Sequence, residues 1–297
     1  MDNRDAIREF LASRRAKITP EQSGLPVYGA KRRVPGLRRG EVAMLAGVSV
    51  EYYTRMERGS LAGVSESVLE AVARALQLDD AEQAHLHDLA RASSPGSRPR
   101  RRARPAQSVR QSVQLTLNAI TNAPAFVRNG RLDILAANPL GYALYSDMYA
   151  GPARPANHGR FIFLDDRSRS FYPDWDRAAN DTVAILRTEA GRDPYDRGLT
   201  DLVGELSTRS EEFRTRWAAH NVRQHYTGRK HLHHPVVGDL DLMYEAMDVS
   251  ADAGLSLLVY TAEAGSATED ALRLLAGWAT TSLQVKEAEA AASLKNG

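Results

Sequence analysis

The chain has 297 residues, a formal net charge of +2, 43% apolar and 26% charged residues, and no cysteine. Its length suits two domains at roughly 100–200 residues each, and its composition is sufficient for packed cores. The lack of cysteine excludes a disulfide framework, thiolate-bound zinc or iron–sulfur clusters, and a thiol nucleophile.

Taken in chain order, the front of the sequence reads as five short helices. Asp5–Ala16 places Ile7, Phe10, Leu11 and the stem of Arg14 along one side. Arg39–Ala46 and Ser49–Glu57 form two short helices with a tight joint. Ser65–Leu76 carries Val68, Leu69, Val72, Ala75 and Leu76 at helical spacing, with Ser65 as N-cap. Asp79–Ala90 follows, with acids in its first turn, where the helix dipole favours them.

Ser93–Ala106 then has three prolines, five arginines and no Leu, Ile, Val, Met or aromatic residue, so it cannot pack and reads as a linker. It separates an all-α domain over 1–92 from a domain over 107–297, with the basic linker at 93–106. Charge follows the same division. Residues 14–39 hold Arg14, Arg15, Lys17, Lys31, Arg32, Arg33, Arg38 and Arg39 against a single acid, Glu21, whereas residues 111–297 are net acidic. Clustered positive charge is the electrostatic footprint of a polyanion partner.

The back domain mixes element types. Gln107–Asn122 reads as a helix ending before Pro124. Residues 125–130 and 131–136 read as two strands across the Asn129-Gly130 turn, a strong hairpin signal. Helices are predicted at Pro139–Met148, Asp174–Glu189, Leu199–Leu206 and Glu211–His220, strands at Lys230–His234, Gly238–Met247 and Leu255–Ala262, and a final helix at Ala267–Trp278. This is an α+β domain on a small antiparallel sheet.

The segment Arg39–Arg58 meets the requirements of a helix-turn-helix position by position. Ala43 is small where the two helices touch, and Gly47 supplies positive φ in the turn. Val42, Ala46, Val48, Tyr53 and Met56 fall inward, and Ser49 is placed to cap the second helix. At about 100° per residue, Glu51, Thr54, Arg55 and Arg58 face outward with Tyr52 on the flank. The N-terminal half of such a helix enters the major groove. There Arg55 can reach guanine O6 and N7, Glu51 can accept from cytosine N4, and Val50 and Tyr52 can touch a thymine methyl. Arg32, Arg33, Arg38 and Arg39 are placed for phosphates, and Glu57 for a structural salt bridge.

Over Val34–Gly59 the sequence resembles the XRE-type helix-turn-helix of actinobacterial MmyB-like transcription regulators. The resemblance continues through Pro124–Val127, Asp133–Asn138, Phe171–Trp175 and His234–Leu242, which are similar to the family's PAS-like C-terminal ligand-binding domain. The stretch Arg100–Arg104 is more basic than the family pattern. The resemblance implies a bacterial regulator, dimeric, whose C-terminal domain holds an apolar ligand such as a fatty acyl chain.

The residues that could line such a pocket are Phe126, Leu135, Phe161, Phe163, Trp175, Trp217, Tyr244 and Tyr260, with Asn138 and His220 as polar handles. His231 and His233 share a strand face, but no carboxylate lies at the spacing of a zinc hydrolase, so no metal is expected. The nucleophile-elbow, P-loop and dinucleotide fingerprints of enzymes are missing from the sequence. Charges fill the first ten residues, and no apolar run approaches the ~18 residues of a spanning helix. The expectation is therefore a cytoplasmic, non-enzymatic, homodimeric regulator. It binds double-stranded operator DNA of inverted-repeat form, senses an apolar small molecule, and has no cofactor and no membrane partner. The alternative is a regulator without an effector, whose C-terminal domain only dimerises or binds a protein.

Overall fold

The computed structural model describes residues 3–25, 34, 36–93, 109–151, 154–219 and 227–295, with the backbone alone over 282–295. Arg32, Arg33, most of the linker (Arg100–Arg104 included) and His220 lie outside the described residues. The chain divides into two compact units, one of 1–100 with 183–224 and one of 101–182 with 225–297.

In the first unit, α1 (Asn3–Lys17), α2 (Arg39–Ala46), α3 (Val50–Glu57), α4 (Glu66–Ala75) and α5 (Asp80–Ser93) enclose a core that includes Ile7, Phe10, Leu11, Val42, Tyr53, Met56, Leu69, Val72, Leu86 and Leu89. All five are predicted helices, with ends shifted by a few residues. The apolar side of α1 also buries the stem of Arg14, only 4% exposed, whose guanidinium pairs with Glu82 of α5 at 2.7 Å. Ser65 occupies the N-cap position of α4 as expected. Its hydroxyl, however, meets Ser67 at 3.0 Å and makes no capping bond.

Residues 183–224, which the sequence reading counts with the C-terminal domain, belong to this first unit. They hold the end of α11 (Trp175–Arg192), α12 (Arg197–Arg209) and α13 (Glu211–Ala218). A Cβ added to Gly191 would lie 2.4 Å from the His85 ring, so glycine permits α11 to close on α5.

The second unit is built on a six-stranded antiparallel sheet with the order β3-β2-β1-β6-β5-β4. The strands are β1 (Ala125–Asn129), β2 (Asp133–Ala137), β3 (Ala156–Asn157), β4 (Thr227–His234), β5 (Gly238–Asp248) and β6 (Leu255–Thr261). Side chains alternate across the sheet. On one face Phe126, Leu232, Leu240, Leu242, Tyr244, Leu258 and Tyr260 form the main core. This core is shared with α7 (Pro139–Leu144), α8 (Ser146–Tyr149), α9 (His158–Leu164), α10 (Arg167–Phe171) and α14 (Ala267–Lys295). On the other face α6 (Gln111–Ala119) lays Leu117 over Ala125, Val127, Ala136 and Leu255.

The hairpin differs from the two-residue turn expected at Asn129-Gly130. The Asn129 side-chain oxygen accepts hydrogen bonds from the backbone of Arg131 and of Asp133, each at 3.0 Å. Those bonds hold a wider turn, put Leu132 at φ +67°, and delay β2 to Asp133.

Candidate nucleic-acid interface and ligand cavity

The helix-turn-helix forms as its residues require. Gly47 ends α2 at φ +66°, and the Val48 amide donates to the Ala43 carbonyl at 3.0 Å. Ser49 then starts α3 by accepting from the Tyr52 amide at 3.1 Å, which satisfies one of the free N–H groups of the first turn. Tyr53 and Met56 are fully buried, so the opposite side of α3 is presented outward.

That outward side is concave. Val50, Glu51, Thr54, Arg55 and Arg58 line a groove of about 490 Å³, joined by Ser60 and by Arg4 of α1. Five of the predicted DNA-contacting residues are thus gathered at one place. Arg55 lies 4.8 Å from the Tyr52 ring centroid, a cation–π contact that steadies the guanidinium on the flank of the groove. Ser49 contributes its cap. Arg38 is exposed at the N-cap position of α2, and its amide donates to Glu41 at 2.7 Å.

Arg39 has a second commitment. Glu57, at the end of α3, is 2% exposed. It accepts two hydrogen bonds from Arg15 of α1, at 2.8 and 2.9 Å, and one from Arg39 of α2 at 3.0 Å. Burial alone would raise the Glu57 pKa, but the Arg15 and Arg39 guanidiniums outweigh it and hold the carboxyl below its ordinary value. The salt bridge expected of Glu57 is therefore a three-helix clamp, and one of the arginines expected at phosphates forms part of it.

The second unit contains a cavity of about 820 Å³, within the range usual for small-molecule sites. Its walls are Gln114 and Asn118 of α6, Ile134, Leu135 and Ala137 of β2, Tyr142 and Ala143 of α7, Ser146 and Tyr149 of α8, and Trp278 of α14. Arg154 stands at the same cavity. The Tyr149 hydroxyl is buried and has no hydrogen-bond partner among the described residues.

Of the residues expected to line a pocket, Leu135 lies in this cavity. His220 lies outside the described residues, and the others are held elsewhere. Phe126, Tyr260 and the Tyr145 ring pack together, with the Tyr145 and Tyr260 hydroxyls 2.9 Å apart. Tyr244 lies 6.0 Å from Tyr260 between ring centroids. Phe161 packs against Phe171, and Phe163 against Trp175, whose indole N–H donates to the Ile162 carbonyl at 3.2 Å. Asn138 is fully buried. Its oxygen accepts from Ala125 and Gly141, and its amide nitrogen donates to Ile120 and Ala123, so it staples loops and caps α7. Trp217 belongs to the first unit, stacked on Phe213.

Sequence reasoning did not find Arg4, Ser60 or most of the cavity wall. Their signal is weak, because an arginine at a helix start and a tyrosine on a short helix read as ordinary surface.

A helix-turn-helix unit with a basic outward groove, together with an α+β domain that carries an open cavity, defines a DNA-binding regulator with a ligand-binding domain. Residues 109–275 match the MmyB-like transcription regulator ligand binding domain, and residues 8–86 match a helix-turn-helix domain. The chain belongs to the MmyB-like transcription regulators. No curated protein matches it. The ligand-binding match spans α11 to α13, whereas the end of α11, α12 and α13 pack in the unit of the helix-turn-helix.

The clamp on Glu57 has a pH signature. Because its folded-state pKa is depressed, its stabilisation is fully present at neutral pH and is lost as the pH falls through the carboxylate range, below about 4.3. Glu57→Gln, which leaves the largely buried Arg15 and the half-exposed Arg39 without their counter-charge, is expected to cost about 3 kcal/mol at pH 7. Urea unfolding of this variant should also show a shallower loss of stability between neutral and acid pH than the unsubstituted chain.

Proposed function

We propose that this chain is a one-component regulator that binds operator DNA sequence-specifically as a homodimer and senses an apolar small molecule in the cytoplasm. The observation that carries the DNA reading is the gathering of Val50, Glu51, Thr54, Arg55 and Arg58 on one groove beside the helix-turn-helix core. Arg55 reads a base edge, with Glu51, Tyr52 and Val50 beside it, while Arg38 and the basic residues Arg32 and Arg33 contact phosphates. Two copies meet successive major grooves about 34 Å apart, which gives an inverted-repeat operator.

The cavity bounded by Leu135, Ala143 and Trp278 suits the ligand, because its walls are mostly apolar with a few amides and hydroxyls to orient a polar end. A fatty acyl chain fits that description. The ligand acts by binding the DNA-competent and DNA-incompetent states unequally, since equal affinity would shift nothing.

DNA binding is tested by selecting duplexes from a pool randomised over its central positions, using the full chain. Arg55→Ala is expected to cost about 1–3 kcal/mol on the selected duplex and to relax preference at one position. Equal weakening on every sequence would remove Arg55 from base reading. Native mass spectrometry of the purified full chain, followed by denaturing extraction, is expected to report a dimer with a bound apolar molecule. A ligand-free dimer would assign the second unit to dimerisation alone.

A further inference from the structure

We infer that Arg4, on the first turn of α1, is a phosphate-contacting residue of the DNA interface, so that the interface extends beyond the helix-turn-helix motif. The inference rests on the DNA-binding reading above and adds to it a residue that lies before the matched helix-turn-helix segment, which begins at residue 8.

The geometry starts at Gly59, just past the end of α3. Its backbone is left-handed at φ +95°, and a Cβ built there would lie 2.5 Å from the Arg4 carbonyl oxygen and 2.9 Å from the Arg4 Cα. Glycine is therefore required both for the turn and for the close approach of α1. This contact pins the first turn of α1 against the C-terminal end of the recognition helix. The Arg4 side chain is exposed and lines the groove that Arg55 and Arg58 also line. Three arginines against one carboxylate, that of Glu51, make the groove positive overall.

Position along α3 then assigns the role. The N-terminal half of a recognition helix reaches the bases, so its C-terminal end lies toward the sugar–phosphate backbone. Arg4 stands at that end, beside Gly59 and Ser60. A guanidinium there meets phosphate oxygens and supplies affinity without sequence information.

The test measures how the affinity of the full chain for the duplex selected on the unsubstituted protein, and for an unrelated duplex of equal length, depends on NaCl concentration. Each phosphate contact contributes about 0.9 to the slope of log affinity against log salt. Arg4→Ala is expected to weaken both duplexes by the same factor and to reduce the slope by about that amount, with the selected consensus unchanged. Arg4→Lys, which keeps the charge, is expected to retain the slope. Arg74→Ala, which removes an exposed arginine of α4 outside the groove, is expected to leave it unchanged.

An unaltered slope in Arg4→Ala overturns the inference, as does a changed consensus, or equal losses in Arg4→Ala and Arg4→Lys. If selection on the unsubstituted chain enriches no duplex, the DNA reading itself fails and the role of Arg4 fails with it.

Discussion

A carboxylate held out of water organises the DNA-binding unit. Glu57 sits at the end of the recognition helix, and a charge so buried persists only when it is paired and fully hydrogen-bonded. Arg15 meets both of its oxygens and Arg39 meets one, so a single residue ties α1 and α2 to α3. Arg15 also donates to the Leu37 carbonyl at 2.8 Å, which fixes the approach of the chain into α2. The outward side of α3 inherits its orientation from this clamp. Rotation of the helix would break three charge-assisted hydrogen bonds before it moved Arg55 from the groove.

The second unit depends on a neutral counterpart. Asn138 uses both of its amide atoms to join the end of α6, the start of β1 and the first turn of α7. α6 and α7 both contribute to the cavity wall, and α6 directly follows the linker segment. His234 reinforces the same corner. Its Nε2 lies 3.0 Å from the Ala143 carbonyl, and its Nδ1 accepts from the Val236 amide at 3.2 Å, which fixes the Nε2-protonated tautomer. Burial lowers the pKa of this imidazole more than the Ala143 contact raises it, so it stays neutral at physiological pH. The cavity thus has a rigid frame on the α7 side.

The sequence makes the helix-turn-helix legible because each position carries its own local requirement. Ala43, Gly47 and Ser49 are each close to the sole small, left-handed or capping choice at their places. The strands β4, β5 and β6 are legible from alternation, as in Leu240, Leu242 and Tyr244 against Asp239, Asp241 and Glu245. No element is predicted over residues 156–171, where the structure has β3, α9 and α10. These elements are too short for a period to register, and Phe161, Ile162 and Phe163 run apolar without helical spacing. The pocket residues are less legible still. Aromatic side chains that fill a core and those that line a cavity have the same composition, and only the fold separates Phe126 from Trp278. Likewise, nothing local in residues 183–224 discloses that they pack with the N-terminal helices, because the contact of Gly191 with His85 joins residues far apart in sequence.

The proposed DNA surface is the groove formed by α3 and the first turn of α1. Arginine modification by phenylglyoxal, mapped by mass spectrometry on the full chain with and without the selected duplex, tests it most directly. Bound DNA is expected to shield Arg4, Arg55 and Arg58 while Arg74 and Arg209, exposed on α4 and α12, react equally in both states. Unchanged reactivity of Arg55 and Arg58 in a saturated complex would place DNA on another surface.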